Sequence, residues 1–595
     1  MKSVLTTTLT TTLRCGSLAL GLALAACSTP TEQAAPSVSA VDKPAAHAEM
    51  PVPPEPLAAP SNPSEQKAAG NIAMEAARAR VSGDLLRQDK AMFQPAPAPS
   101  VAYAYSFQPA PQNTEKYSHY ADNPVKLTRV EALSTLSLDV DTASYSNVRR
   151  FLNQGQLPPK DAVRIEEMVN YFRYSDALPL PGHPFAVQTE VAAAPWNRDH
   201  LLLRVGVKAV DVAAAAMPPA NLVFLVDVSG SMNSPDKLPL VQSSLKMLTA
   251  QLRPQDRVAL VVYAGRTALE LPSTPGNQKE KIQAAIARLQ AGGSTAGGAA
   301  LEMAYAQARA GYIQGGINRI LLATDGDFNV GITDIEQLKS LIERERESGI
   351  SLTTLGFGQG NYQDAMMQQL ADIGNGNYSY IDSLSEARKV LVEEMSSTFN
   401  TVAKDVKIQL EFNPAQIAEW RLIGYEKRVL REEDFRNDKV DAGDVGAGKT
   451  VTALYELTPV GANTLHGERR YGSATPVTSG KTAELGFLRI RYKQPEGSQS
   501  TELSQTIARP DAAMLALTPS ADLRFASAVA AFGQLLRQSP YTGNFTYADV
   551  QALAGQDPNG SAERGEFSKL VAIAAALTPA KPGAVPLNHD RRHAE

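Results

Sequence analysis

The stretch from residue 213 to 402 constrains the fold most, because strand-like and helix-like runs alternate along it. "NLVFLVD" is a continuous apolar run of strand length. A helical pattern over 237–252 follows, then the apolar run "RVALVVYA" and helical patterns over 279–289 and 296–310. "RILLATD", "ISLTTLGFG" and "NYSYID" read as further strands, separated by helices over 334–347 and 362–373, and 384–399 closes the stretch. Alternation of this kind requires a mostly parallel sheet covered on both faces, so the expected class is α/β, doubly wound and Rossmann-like. Such sheets place ligands at the carboxyl ends of their strands.

The flanks have a different rhythm. "FAVQTEVAAAPW" and "HLLLRVGVKAV" alternate apolar and polar residues, and the pattern returns in "DVKIQLEFNP", "AEWRLIGYE", "TVTALYELTPV" and "AELGFLRIRYK". The simplest architecture is a β-sandwich built from 183–212 and 403–505, with the α/β domain of 213–402 inserted in it. Residues 115–182 read as a helical N-terminal segment. It has a strand-like run, a helix from near Ser144, and a second helix over 164–174 with Ile165, Met168, Val169 and Phe172 on one face. Residues 506–583 also have helical spacing: Leu523, Ala526, Val529, Ala530 and Phe532 share a face, and Thr546 is placed as an N-cap. A polar tail, 584–595, ends the chain.

The cysteines bear on location. Both, Cys15 and Cys27, fall in the first 27 residues, so the remainder has neither an internal disulfide nor a thiolate site. Lys2 and Arg14 accompany an apolar run over 17–26 that is too short to span a bilayer. It ends in Leu24-Ala25-Ala26-Cys27, which resembles a bacterial lipobox whose cysteine is lipidated. Residues 1–27 are therefore expected to be a lipoprotein signal peptide. Ser28, rather than an aspartate, favours anchoring in the outer membrane of the cell envelope, on either its periplasmic or its surface side. Residues 28–114, rich in Pro and Ala, read as a disordered tether with a short helix over 71–89. No later run of 18 apolar residues suggests a transmembrane helix. A net charge of −5 argues against a nucleic-acid partner.

The chemistry gathers at three places. Asp227, Ser229 and Ser231 directly follow "NLVFLVD", Thr295 lies in the glycine-rich "AGGSTAGGAA", and Asp325 ends "RILLATD". In a doubly wound sheet all three lie at the carboxyl edge, where they can meet. Hydroxyl and carboxylate oxygens suit a hard cation, and Mg²⁺ bound octahedrally at about 2.0–2.1 Å would keep at least one position open. A partner's carboxylate could fill it.

"FLVDVSGSM", "GGSTAGG" and "LLATDGDFN" resemble the three segments of the metal-ion-dependent adhesion site (MIDAS) of a von Willebrand factor type A (vWA) domain. The motif is specific, since three separated pieces occur in the right order on the right elements. The resemblance implies that Ser229 and Ser231 ligate the metal directly, that Thr295 and Asp325 alternate between direct and water-mediated contact, and that Asp227 acts mainly from outside the inner ring of ligands. More widely, the chain resembles bacterial lipoproteins that carry such a domain between an N-terminal segment like "LDVDTASYSNVRRFLNQGQLPP" and an uncharacterised C-terminal region.

Other signals are weaker. "DVDTAS", with Asp139 and Asp141, resembles a phosphatase nucleophile motif, but its threonine spacing is off by one; helix capping or contact with a neighbouring domain is the plainer role. "DGDFNVGITDIE" matches part of a calcium loop but has Val330 where glycine is needed. There is no HExxH pair, Ser231 has no evident histidine base, and the glycine-rich loop lacks a P-loop lysine. The expectation is a non-enzymatic, lipid-anchored envelope protein that binds Mg²⁺, with Ca²⁺ or Mn²⁺ as alternatives, and grips an Asp or Glu of a protein partner. Two other readings stay open: an envelope scaffold whose metal only stabilises it, and a metal-dependent hydrolase.

Overall fold

The computed structural model describes residues 113–293, 298–326, 335–440, 442–467, 483–555 and 561–579. The signal peptide with Cys27, the tether with its short helix as far as residue 112, Thr295, the calcium-loop-like residues 327–334 and the polar tail lie outside the described residues.

The inserted domain has a six-stranded sheet. Its strands in chain order are β1 (Ala220–Asp227), β2 (Arg257–Tyr263), β3 (Thr267–Pro275), β4 (Ile317–Thr324), β5 (Ser351–Phe357) and β6 (Tyr378–Ile381). The spatial order is β6-β5-β4-β1-β2-β3, and all neighbours are parallel except β2 and β3. Period-two alternation turns Leu222, Phe224 and Val226 of β1 to one covered face and Val223 and Leu225 to the other. With Phe224 fully buried, Phe224→Ala would cost about 3–5 kcal/mol. The antiparallel β3 has no counterpart in the sequence reading. Pro272 and Pro275 remove ladder donors, which confines such a strand to a sheet edge and blurs its signature.

The flanks form two antiparallel sheets, one of five strands and one of six, the sixth being Val445–Gly446 paired beside Thr401–Phe412. One runs Lys126–Leu127, Ile417–Ile423, Thr450–Pro459, Asn197–Ala209, Phe185–Ala194, and the other Val429–Leu430, Leu133–Ser137, Thr401–Phe412, Glu484–Lys493, Ser500–Ala508. Val205, Ile408, Trp420, Tyr455 and Leu488 meet between them. The segment 115–182 is thus not helical throughout, because Lys126–Leu127 and Leu133–Ser137 join one sheet each. Leu133–Ser137 is the strand-like run read from the sequence, whereas Lys126–Leu127, at two residues, is too short to show any alternation.

The remaining helices make a separate core. Ala143–Asn153, Ile165–Asn170, Ala521–Arg537 and Ala562–Leu577 enclose Phe172, Phe525, Phe532 and Phe567, whose rings meet edge to face at 4.9–5.8 Å. Thr546 caps Tyr547–Ala554 reciprocally with Asp549. Asp139 and Asp141, however, cap nothing. The N-cap of Ala143–Asn153 is Thr142, without a side-chain bond, and the Ser144 amide donates to Glu167 instead (2.9 Å). Asp139 and Asp141 face Arg428 at 3.3 and 3.4 Å, and Asp141 accepts the Tyr378 amide (2.9 Å), so they tie the N-terminal segment to its neighbours.

Candidate metal centre

Asp227 is the last residue of β1, and Asp325 directly follows β4. Because β1 and β4 are paired in parallel register, their carboxyl ends coincide and bring both aspartates to one edge. Ser229 and Ser231 sit in the tight turn after β1, which enters a 3₁₀ turn at Gly230–Asn233. Backbone bonds hold this turn: the Val228 amide donates to Tyr263, Gly230 to the Gly293 carbonyl (3.1 Å), and Gly292 to the Val228 carbonyl (2.8 Å).

Four of the five expected ligand residues are therefore gathered, and Thr295 is the one outside the described residues. The Ser229 and Ser231 hydroxyls lie 2.9 Å apart. Asp227 Oδ1 accepts the Ser229 amide (2.8 Å), and Oδ2 accepts the Thr324 hydroxyl (3.0 Å). These bonds aim Asp227 at its own loop, in keeping with an indirect role. Asp227 and Asp325 are fully buried, Ser229 nearly so, while Ser231 is exposed. Burial pushes the Asp227 carboxyl up to about 6, with the nearby Asp325 charge adding and the Ser229 and Thr324 bonds opposing.

The residues fit a hard divalent cation. An octahedral ion about 2.0–2.1 Å from each oxygen needs adjacent oxygens about 2.9 Å apart, the spacing the two serines already have. Two buried carboxylates also call for positive charge. Sequence reasoning missed a residue that supplies part of it: Lys237, buried, whose Nζ donates to Asp325 Oδ2 at 2.9 Å. Its stem lies over Gly358, where a Cβ would come within 2.3 Å of Lys237 Cε. Thr324 was missed as well; it immediately precedes Asp325 and is one of the hydroxyls holding Asp227.

The edge site and sheet order define a vWA-type domain inserted in a sandwich, and the von Willebrand factor type A domain model matches residues 221–394. A model described as von Willebrand factor matches 111–204, and one for the C-terminal part of Uncharacterized protein YfbK matches 397–577. The chain is 52% identical over 477 residues to Uncharacterized protein YfbK of Escherichia coli K12, an alignment covering 78% of this chain and 82% of the relative. It belongs to the YfbK family. Among solved structures, a von Willebrand factor type A protein from Catenulispora acidiphila is similar over 67% of this chain and 91% of its own (14% identity, TM-score 0.39). The mussel byssus proximal thread matrix protein 1, in a structure with a zinc-occupied MIDAS motif, is similar over 32% and 46% (22% identity, TM-score 0.25).

Proposed function

We propose that this protein is a lipid-anchored, non-enzymatic component of the cell envelope. In this reading its vWA domain holds Mg²⁺ through Ser229, Ser231, Thr295 and Asp325 and uses the open coordination position to grip a carboxylate of a protein partner. The observation that carries the reading is the pair of serine hydroxyls at octahedral-edge spacing, backed by two buried aspartates. Exposure of Ser231 supports a ligand arriving from outside. A binding role also agrees with the histidines: His119, His200 and His466 bond to Asp161, Glu456 and Glu419, and none of these carboxylates belongs to the metal centre. Lipidation at Cys27 and an outer-membrane position rest on the lipobox-like sequence.

The test is Ser229→Ala with Ser231→Ala in the full chain. Circular dichroism should match the wild type, while Mg²⁺ titration and Mg²⁺-dependent capture of an envelope protein should both be lost. Capture that persists in the double variant and in EDTA would sink the metal mechanism. Loss of the Mg²⁺ effect on melting with capture unchanged would favour the scaffold reading.

A further inference from the structure

Arg149, Arg150, Arg164, Arg204, Arg319 and Arg421 are the buried arginines among the described residues. Five of them meet a carboxylate at 2.5–2.8 Å: Asp382, Glu115, Asp364, Asp176 and Glu456 respectively. Arg319 breaks the pattern. It is 4% exposed and its Nη1 donates to the Thr353 hydroxyl (2.7 Å); its Nε lacks a hydrogen-bond partner among the described residues, as do those of Arg150, Arg204 and Arg421. No carboxylate there lies within ion-pair distance of it. Burying a guanidinium without a counter-charge is costly, and this fold supplies a carboxylate to each of the other five, which leaves Arg319 anomalous. Burial pulls the Arg319 guanidinium down to about 10, with Asp444 opposing more weakly from a distance.

Arg319 lines a cavity of about 440 Å³ between the base of the vWA sheet and the sandwich. The volume is in the usual range for small-molecule sites. Lys427 and Arg428 are on the same wall, but Asp372 already holds both, at 2.7 and 2.9 Å. Thr398 and Thr401 line it as well, the Thr398 hydroxyl already donating to the Val390 carbonyl at 3.3 Å. Arg346 and the carboxylates of Asp139, Glu343 and Asp444 line the cavity too, and Asp139 is held by Arg428 at 3.3 Å. What the cavity lacks is a negative group in ion-pair contact with Arg319, since Asp444 acts on it only from a distance. The site is separate from the metal centre: Arg319 is near the start of β4 and Asp325 just past its end, about 20 Å apart along an extended strand.

We propose that this cavity binds a small oxyanionic ligand, a phosphate or a carboxylate, whose negative group is received by the Arg319 guanidinium. Arginine suits either anion, because its planar fork matches both bidentately. Thr353 fixes one arm of the guanidinium through Nη1.

The test is calorimetric titration of the full chain, in EDTA so that the metal centre does not contribute. Inorganic phosphate and malonate are titrated separately, at ionic strength held constant with chloride. Saturable binding of at least one is expected, and which one separates the two anion sources. Arg319→Gln should weaken it at least tenfold, and Thr353→Val, which keeps the charge but frees the guanidinium, by several-fold. The proposal is overturned if neither anion binds saturably to the wild type, or if Arg319→Gln binds as tightly. Should Arg319→Gln not fold, unchanged affinity in Thr353→Val overturns it equally.

Discussion

Lys237→Met gives the most direct check on the charge balance of the metal centre. Asp325 is fully buried and Lys237 nearly so, with 2.9 Å between Nζ and Oδ2. Methionine keeps the bulk of the stem over Gly358 and removes only the charge. Taking one partner from a buried ion pair costs about 3–5 kcal/mol, because the other charge loses its compensation in a poorly solvated place. For a domain of this size each kcal/mol moves the melting temperature by about 2–4 °C, so metal-free Lys237→Met should melt about 6–20 °C below wild type. A divalent cation bound beside Asp325 supplies the missing charge, so saturating Mg²⁺ should restore much of that loss and stabilise the variant more than the wild type. Differential scanning fluorimetry across a Mg²⁺ series, with and without EDTA, reads both effects. If the metal-free variant loses less than about 1 kcal/mol, or if Mg²⁺ shifts both proteins equally, then Lys237 and the metal do not serve the same carboxylate and the argument fails.

Further outcomes follow from the same geometry. Asp227, raised to about 6, holds its proton more tightly in the folded than in the unfolded chain. Metal-free stability should therefore fall by about 3 kcal/mol as pH rises from about 4 through about 6, and Mg²⁺ affinity should fall as pH drops below about 6; denaturant melts and calorimetry at pH 5 and 7.5 separate the two. Gly326→Ala should destabilise by more than about 1 kcal/mol and weaken Mg²⁺ binding, because Gly326 has φ +88° and a Cβ there would lie 2.5 Å from the Gln363 amide nitrogen; equal affinity in titration would count against Gly326 as a support of Asp325. Glu115→Ala, which strips the buried Arg150 of its bidentate partner at 2.8 and 3.0 Å, should cost about 3 kcal/mol and speed hydrogen exchange at the amides of 358–363; unchanged exchange there would show that Glu115 does not fasten that loop.

What the sequence made legible follows physical lines. β1, β2 and β4 were readable because a strand buried on both faces is a near-continuous apolar run, and the serines of the metal centre because they follow β1 at fixed spacing. Strand β3 was not, since its prolines and half-exposed edge erase the pattern. Lys237 was not either: a lysine at the mouth of a helix reads as a solvated charge, and its contact with Asp325 spans 88 residues. The same holds for the buried arginines. Arg164 bonds Glu167 and also Asp364, two hundred positions away, and no local periodicity encodes such a pairing. Asp139 and Asp141 stood out as a pair, but only the fold shows them spent on Arg428.

These remote pairings bear on the metal centre itself. Thr114 and Lys116 donate their amides to the carbonyls of Gly360 and Tyr362 at 2.7 and 2.9 Å, and the Gly360 amide donates to Glu115 (2.9 Å). Arg150 anchors Glu115 in turn. The loop so fastened touches the metal centre from two sides, with Gly358 under the Lys237 stem and Gln363 against Gly326, the neighbour of Asp325. Beyond it, Tyr378 joins the Tyr362 hydroxyl to Asp364 through bonds of 2.5 Å. Metal ligands need placement to within about 0.5 Å, and that precision comes from the groups holding them. Here those groups belong partly to residues 113–117, well outside the 221–394 match and bridged to the loop at Lys116 and Gln363, so the centre is a property of the body formed by the N-terminal segment and the vWA domain together, and a vWA domain cut free of residues 113–117 would lose the bonds that fasten the 358–363 loop beside its metal centre.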